Sequence, residues 1–252
     1  MCADEILEVM KTARQRWTTL RGRGRDWRHN VRRREAFIRD VSSDTQTLTV
    51  FSEGFEPPDR LEQEESLWRL WISLPDTIRT EFPVGTGTVT AVLEGSTWWS
   101  ISPMGARTND GDSHVTHGTG PGYPLTDPAR IPMALDLVLR GTANVAGRDA
   151  LLLAGMPAGT EGIDLLDRQP TEDVLDDLGG AGADQYELAV DTERGVVLRS
   201  EARLEGQPFH IIEFIEIAFD ETLPADAFTL GVPPGTTFES AVPRWWRDRF
   251  PD

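Results

Sequence analysis

Alternation of apolar and polar positions dominates the C-terminal third of the chain. Tyr186, Leu188 and Val190 alternate with Glu187, Ala189 and Asp191, the period of two that marks a strand with one dry face. Thr192 to Gly195 reads as a turn. Val196, Leu198, Ala202 and Leu204 then point one way, while Arg199, Glu201, Arg203 and Glu205 point the other. After the break at Gly206 and Pro208, the run from Phe209 to Phe219 is apolar on both faces except for Glu213 and Glu216. That pattern predicts a strand in mid-sheet with something packed on each side. Three such runs joined by tight turns predict an antiparallel meander.

Other periods govern the rest. Ile6, Met10, Ala13, Trp17 and Leu20 recur at spacings of three and four, which predicts an amphipathic helix from Ala3 to Leu20 stopped by Gly22. Thr45–Ser52 reads as a strand, and 53–65 as a polar, proline-containing loop. Trp68, Leu70 and Ile72 alternate with Arg69, Trp71 and Ser73, and this strand turns at Pro75 to pair with Thr77–Phe82. Thr88–Leu93 and Thr97–Ile101 form a second hairpin around Glu94-Gly95. Ile131, Ala134, Leu135, Val138 and Leu139 trace a helical stripe closed by Gly141. A strand pair around Gly147 follows, then a short helix over Thr171–Leu178.

Charge changes the picture at one place. The segment Arg21–Arg34 carries arginines at 21, 23, 25, 28, 32, 33 and 34 with only Asp26 against them. Interleaved with Trp27, such a stretch suggests nucleic acid. The chain as a whole carries a net charge of −17, a field that repels phosphate backbones. The segment therefore reads as a solvated strand face whose arginines oppose carboxylates of neighbouring strands. The acidic 161–184 stretch, with Glu172, Asp173, Asp176 and Asp177, lacks the ordered spacing of a calcium loop and reads as a solvated insert.

Candidate chemistry is sparse. No apolar run reaches the length of a membrane span, and no secretory leader stands at the start. The expectation is a cytoplasmic chain, or a cell-envelope one if the N-terminus is truncated. Cys2 is the sole cysteine, which excludes a thiolate metal cage and an intrachain disulfide. Asp110, Asp112, His114 and His117 share the glycine-rich stretch Met104–Pro124, but ligand spacing means little in such a loop, so neither metal nor cofactor is expected. Gly111-Asp112-Ser113 has the nucleophile block of GDSL-type esterases without the D-x-x-H pair that should follow it, so no catalytic residue is assigned.

The order of elements, together with Leu67-Trp68-Arg69-Leu70-Trp71, Ala146-Gly147-Arg148, Tyr186–Asp191, Gly195–Arg199 and Phe219–Phe228, resembles the LolA-like family. That family comprises bacterial lipoprotein carriers of the LolA type, lipid-binding LppX-type proteins and the N-terminal domain of RseB-type sigma-factor regulators. The resemblance covers residues 3 to 240. It implies an α+β fold, a curved, half-open antiparallel β-barrel wrapped around helices, as one domain over 1–240 with a Trp/Arg-rich tail at 241–252. It also implies non-enzymatic binding of a lipid or lipoprotein acyl chain between sheet and helices. The cleft expected on that basis is built from Leu7, Met10, Trp68, Leu70, Ile72, Trp98, Leu135, Val138, Leu198 and Phe214. The alternative is regulatory binding of a partner protein through the same face or the tail.

Overall fold

The structure is a computed structural model that describes residues 3–43, 61–109, 120–158 and 170–241. Its strands are β1 (Thr19–His29), β2 (Gln63–Ser73), β3 (Thr77–Val84), β4 (Gly87–Glu94), β5 (Thr97–Ser102), β6 (Gly105–Thr108), β7 (Leu135–Val145), β8 (Arg148–Pro157), β9 (Gln185–Asp191), β10 (Val197–Leu204), β11 (Gln207–Phe219) and β12 (Phe238–Ser240). They form one twelve-stranded sheet in the order β12-β6-β5-β4-β3-β2-β1-β11-β10-β9-β8-β7. Every pairing is antiparallel except that of β12 with β6. The helices are α1 (Ala3–Lys11), α2 (Asn30–Ser43), the single turn α3 (Ile131–Ala134) and α4 (Pro170–Asp177). The sheet is curved and does not close on itself, which makes this a half-open α+β barrel. The meander and the two N-terminal hairpins stand where alternation places them, and the strand pair around Gly147 is present but longer than expected, as β7 and β8.

The inner face is dry. α1 buries Ile6, Val9 and Met10 in one core with Trp68, Leu70 and Ile72 of β2, Leu188 of β9, Leu198 of β10 and Phe214 of β11. Burying apolar surface of this kind contributes about 25 cal/mol per Å² and is the main force holding helix to sheet.

The outer face is ionic. Arg25 Nε donates to Glu213 at 2.5 Å, and its Nη1 lies 3.1 Å from Glu65. Arg23 bonds Glu216 at 2.7 Å. Glu213 and Glu216 are three apart, yet both face outward. Between Arg23↔Glu216 and Gly24↔Phe214 the register skips Ile215, a bulge that resets the alternation. Arg23 and Arg25 of β1 thus oppose carboxylates on the strands beside them, as their spacing predicts.

Three expectations are corrected. The first helix ends at Lys11 instead of continuing to Leu20; a turn over Ala13–Gln15 follows, and β1 begins at Thr19. Asp220 accepts from both the backbone N–H and the hydroxyl of Thr18, at 2.7 and 3.0 Å, pinning the chain where it leaves the helical path. The arginine-rich segment is not one strand, because α2 takes over at Asn30 and buries Ala36. The stripe 131–139 is helical for a single turn and becomes β7 at Leu135. Its apolar residues satisfy both periods, and pairing with β8 decides between them. Residues 44–60, 110–119, 159–169 and 242–252 lie outside the described residues. With them go the expected Thr45–Ser52 strand, the Asp110, Asp112, Ser113, His114 and His117 cluster, and the tail's tryptophans.

Candidate functional site

The inner face is not packed along its whole length. Toward the β3–β5 end a cavity of about 1140 Å³ opens between the sheet and the segment 120–131, with α4 beside it. Its apolar wall includes Ile78 and Phe82 of β3, Leu93 of β4, Trp98 of β5, Ile131 and Ile212. Ala91 lies in the same wall and carries only a methyl group toward the space.

One end of the cavity is polar. On β1, alternation sends Leu20, Gly22, Gly24, Asp26 and Arg28 to the inner side, so an acid is forced indoors. Asp26 is 2% exposed. Its Oδ1 accepts from Arg28 Nε at 3.0 Å, and its Oδ2 accepts from Arg28 Nη2 at 2.5 Å. The same Oδ1 lies 2.7 Å from Nε2 of His210, which β11 brings opposite Arg28. Burial works to raise the Asp26 carboxyl, but the hydrogen bond and charge of His210 and the charge of Arg28 outweigh it, holding the group below its usual value.

The other nitrogen of His210 lies 2.7 Å from the Gly179 carbonyl, so both ring nitrogens face acceptors. That approach depends on the end of α4. Gly179 has φ +72°, its N–H donates to Asp176 O at 2.8 Å, and a Cβ there would fall 2.0 Å from His210 Nδ1. With both nitrogens engaged, His210 has none to spare for activating a nucleophile. The cluster builds a fixed ionic floor for the cavity. Among the described residues no group of three His, Cys, Asp or Glu could hold a metal ion.

Of the ten residues expected to line a cleft, the structure brings only Trp98 to this cavity. Met10, Trp68, Leu70, Ile72, Leu135, Leu198 and Phe214 are buried in the core, and Leu7 packs half-buried against it. Val138 is 53% exposed. The reason is geometric: α1 covers the middle of the sheet and fills it, so open space remains only toward β3–β5. Asp26 and His210 were missed, although their inward parity with Gly24 and Ile212 was a readable signal.

No family model matches the chain, and no curated protein matches it by sequence. Solved structures do match. The crystal structure of MucB aligns over 91% of this chain and 62% of its own length, at 17% identity and a TM-score of 0.52. The crystal structure of MucB in complex with MucA(peri) aligns over 91% and 60%, at 16% identity and a TM-score of 0.51. A LolA superfamily protein from Nitrosomonas europaea aligns over 91% and 98%, at 9% identity and a TM-score of 0.31, a likeness too loose to carry weight. The chain therefore shares the fold of MucB over the aligned residues, and it spans less than two thirds of MucB.

Proposed function

We propose that this protein binds an apolar ligand, a lipid or a lipoprotein acyl chain, in the cavity between β3–β5 and the 120–131 segment. The observation that supports it is a space of about 1140 Å³ on the inner side of the sheet, walled by Ile78, Phe82, Leu93 and Trp98. Ligand sites usually join apolar walls to convergent polar groups, and here Asp26, Arg28, Arg33, Arg130, Asp176 and His210 also line the space. Each buried methylene gains about 0.8 kcal/mol, roughly fourfold in affinity, so a long chain binds usefully after association costs. The reading is non-enzymatic, and the cell envelope is the compartment that suits it. No helix of the described residues is long and apolar enough to cross a membrane.

The test is a series of fatty acids and lysolipids of increasing length, read by tryptophan fluorescence, since Trp98 stands in the wall. Affinity should rise with chain length and change little with salt. Ala91→Phe, which sets a ring into the space, should weaken binding. Flat affinity along the series, or full binding by Ala91→Phe, overturns the reading.

A second reading has one observation in its favour: MucB has been crystallised in complex with MucA(peri). On that reading the same cavity takes an extended segment of a partner protein.

A further inference from the structure

β7 ends the sheet. It pairs with β8 on one side, and among the described residues no strand pairs with the other. The phase of that open edge follows from one bond. The Ala134 carbonyl accepts from the Ala158 N–H at 2.9 Å. Backbone groups alternate sides along a strand, so those of Asp136 and Val138 turn toward β8, and those of Leu137 and Leu139 turn outward. At Arg140 the register with β8 slips, and the repeat ends there.

The side chains along this edge are unusual for a surface. Val138 is 53% exposed, Met156 of β8 is 61% exposed opposite Asp136, and Met133 is 65% exposed just before the strand. Asp136 and Arg140, both exposed, stand two residues either side of Val138.

We propose that this edge is a homodimer interface, in which β7 pairs antiparallel with β7 of a second copy about a two-fold axis at Val138. Leu137 then meets Leu139 of the second copy, and each offers the outward backbone groups the other needs. Val138 meets its own copy, with the exposed methionines beside it. Asp136 meets Arg140 of the second copy, and symmetry makes that pair twice. Moving the axis to Asp136 or to Arg140 would set like charge on like charge. Placing it at Leu137 or Leu139 leaves both charges opposite uncharged residues. Charges on an edge strand ordinarily guard it against pairing with any strand that arrives. Here they admit one register of one partner, which is how an isologous contact is specified. The inference is independent of what the cavity holds.

The test is the mass of the full chain over a wide concentration series, by sedimentation or light scattering. Wild type should show a monomer–dimer equilibrium. Asp136→Arg and Arg140→Asp, each replacing two attractive pairs with two repulsive ones, should weaken it at least about tenfold. The double variant Asp136→Arg/Arg140→Asp should restore it. Val138→Arg, at an exposed position, should also give monomer. Circular dichroism and urea midpoints identify folded variants. A wild type that stays monomeric overturns the proposal, as do single variants that dimerise like wild type. A folded double variant no better than the single ones does the same.

Discussion

Trp68 has a slot prepared for it, and the slot makes a thermodynamic cycle. The indole is 1% exposed and meets Phe214 edge-on, with ring centroids 4.9 Å apart at 79°. A Cβ on Gly122 would lie 2.3, 2.5 and 2.7 Å from three atoms of that ring, all closer than real contacts allow. Gly122→Ala should therefore overpack the core and cost about 1–3 kcal/mol. Trp68→Leu removes the atoms in the way and costs less than the roughly 3–5 kcal/mol of truncation to Ala. In the double variant the new methyl group occupies space the indole has left, so most of the Gly122→Ala cost should vanish, a coupling of about 1–3 kcal/mol. Gly24→Ala is the contrast. Its Cβ would lie 2.0 Å from the Trp68 ring but also 2.2 Å from the Glu213 backbone oxygen, which a smaller side chain at 68 does not move. Its cost should survive Trp68→Leu in large part. Urea unfolding followed by far-UV circular dichroism measures all five variants without relying on tryptophan emission. Costs that add within about 0.5 kcal/mol for the Gly122 pair would refute the slot.

Two further outcomes follow from the charges. On the outer face Glu201 is 3% exposed between Arg199 and Arg203, whereas the Glu216 side chain is 63% exposed beside Arg23. Glu201→Ala should cost about 1–3 kcal/mol because it removes the buried carboxylate that both arginines share, and Glu216→Ala no more than about 1 kcal/mol; equal urea midpoints would show the ladder is uniform. Asp26 is held below its usual value in the native state by His210 and Arg28 against the pull of burial. Its contribution to stability is therefore complete above the ordinary carboxyl value, and it is lost as pH falls through that value toward the lower native one. Asp26→Asn should flatten the acid limb of stability against pH relative to wild type. Parallel limbs in urea titrations would show that Asp26 is not held in this way.

Local periodicity was enough to locate most strands. The alternations at Trp68–Ser73, Tyr186–Asp191 and Val196–Leu204 give β2, β9 and β10 because a strand with one buried face has only one way to place its side chains. The cross-strand role of Arg23 and Arg25 was legible for the same reason: once one face is buried, every second residue faces water and a neighbour's charges. Residues 131–139 mark the limit. Leu135 and Leu139 fit a helical stripe, and Leu135, Leu137 and Leu139 fit a strand equally well. The sheet edge on β8 chose the strand, and with it turned Val138 outward. Only the tertiary structure could decide where the inner face stays empty. Trp68, Leu70, Ile72 and Phe214 carry the dry-face signal as strongly as Phe82 and Trp98, yet the first four pack into the core with α1 and the last two border the cavity. The signal reports that a side chain leaves water, and whether it then meets a neighbour or a cavity depends on elements distant in sequence. Asp26 and His210 stand 184 residues apart and meet because β1 and β11 lie side by side, a pairing that no local pattern encodes.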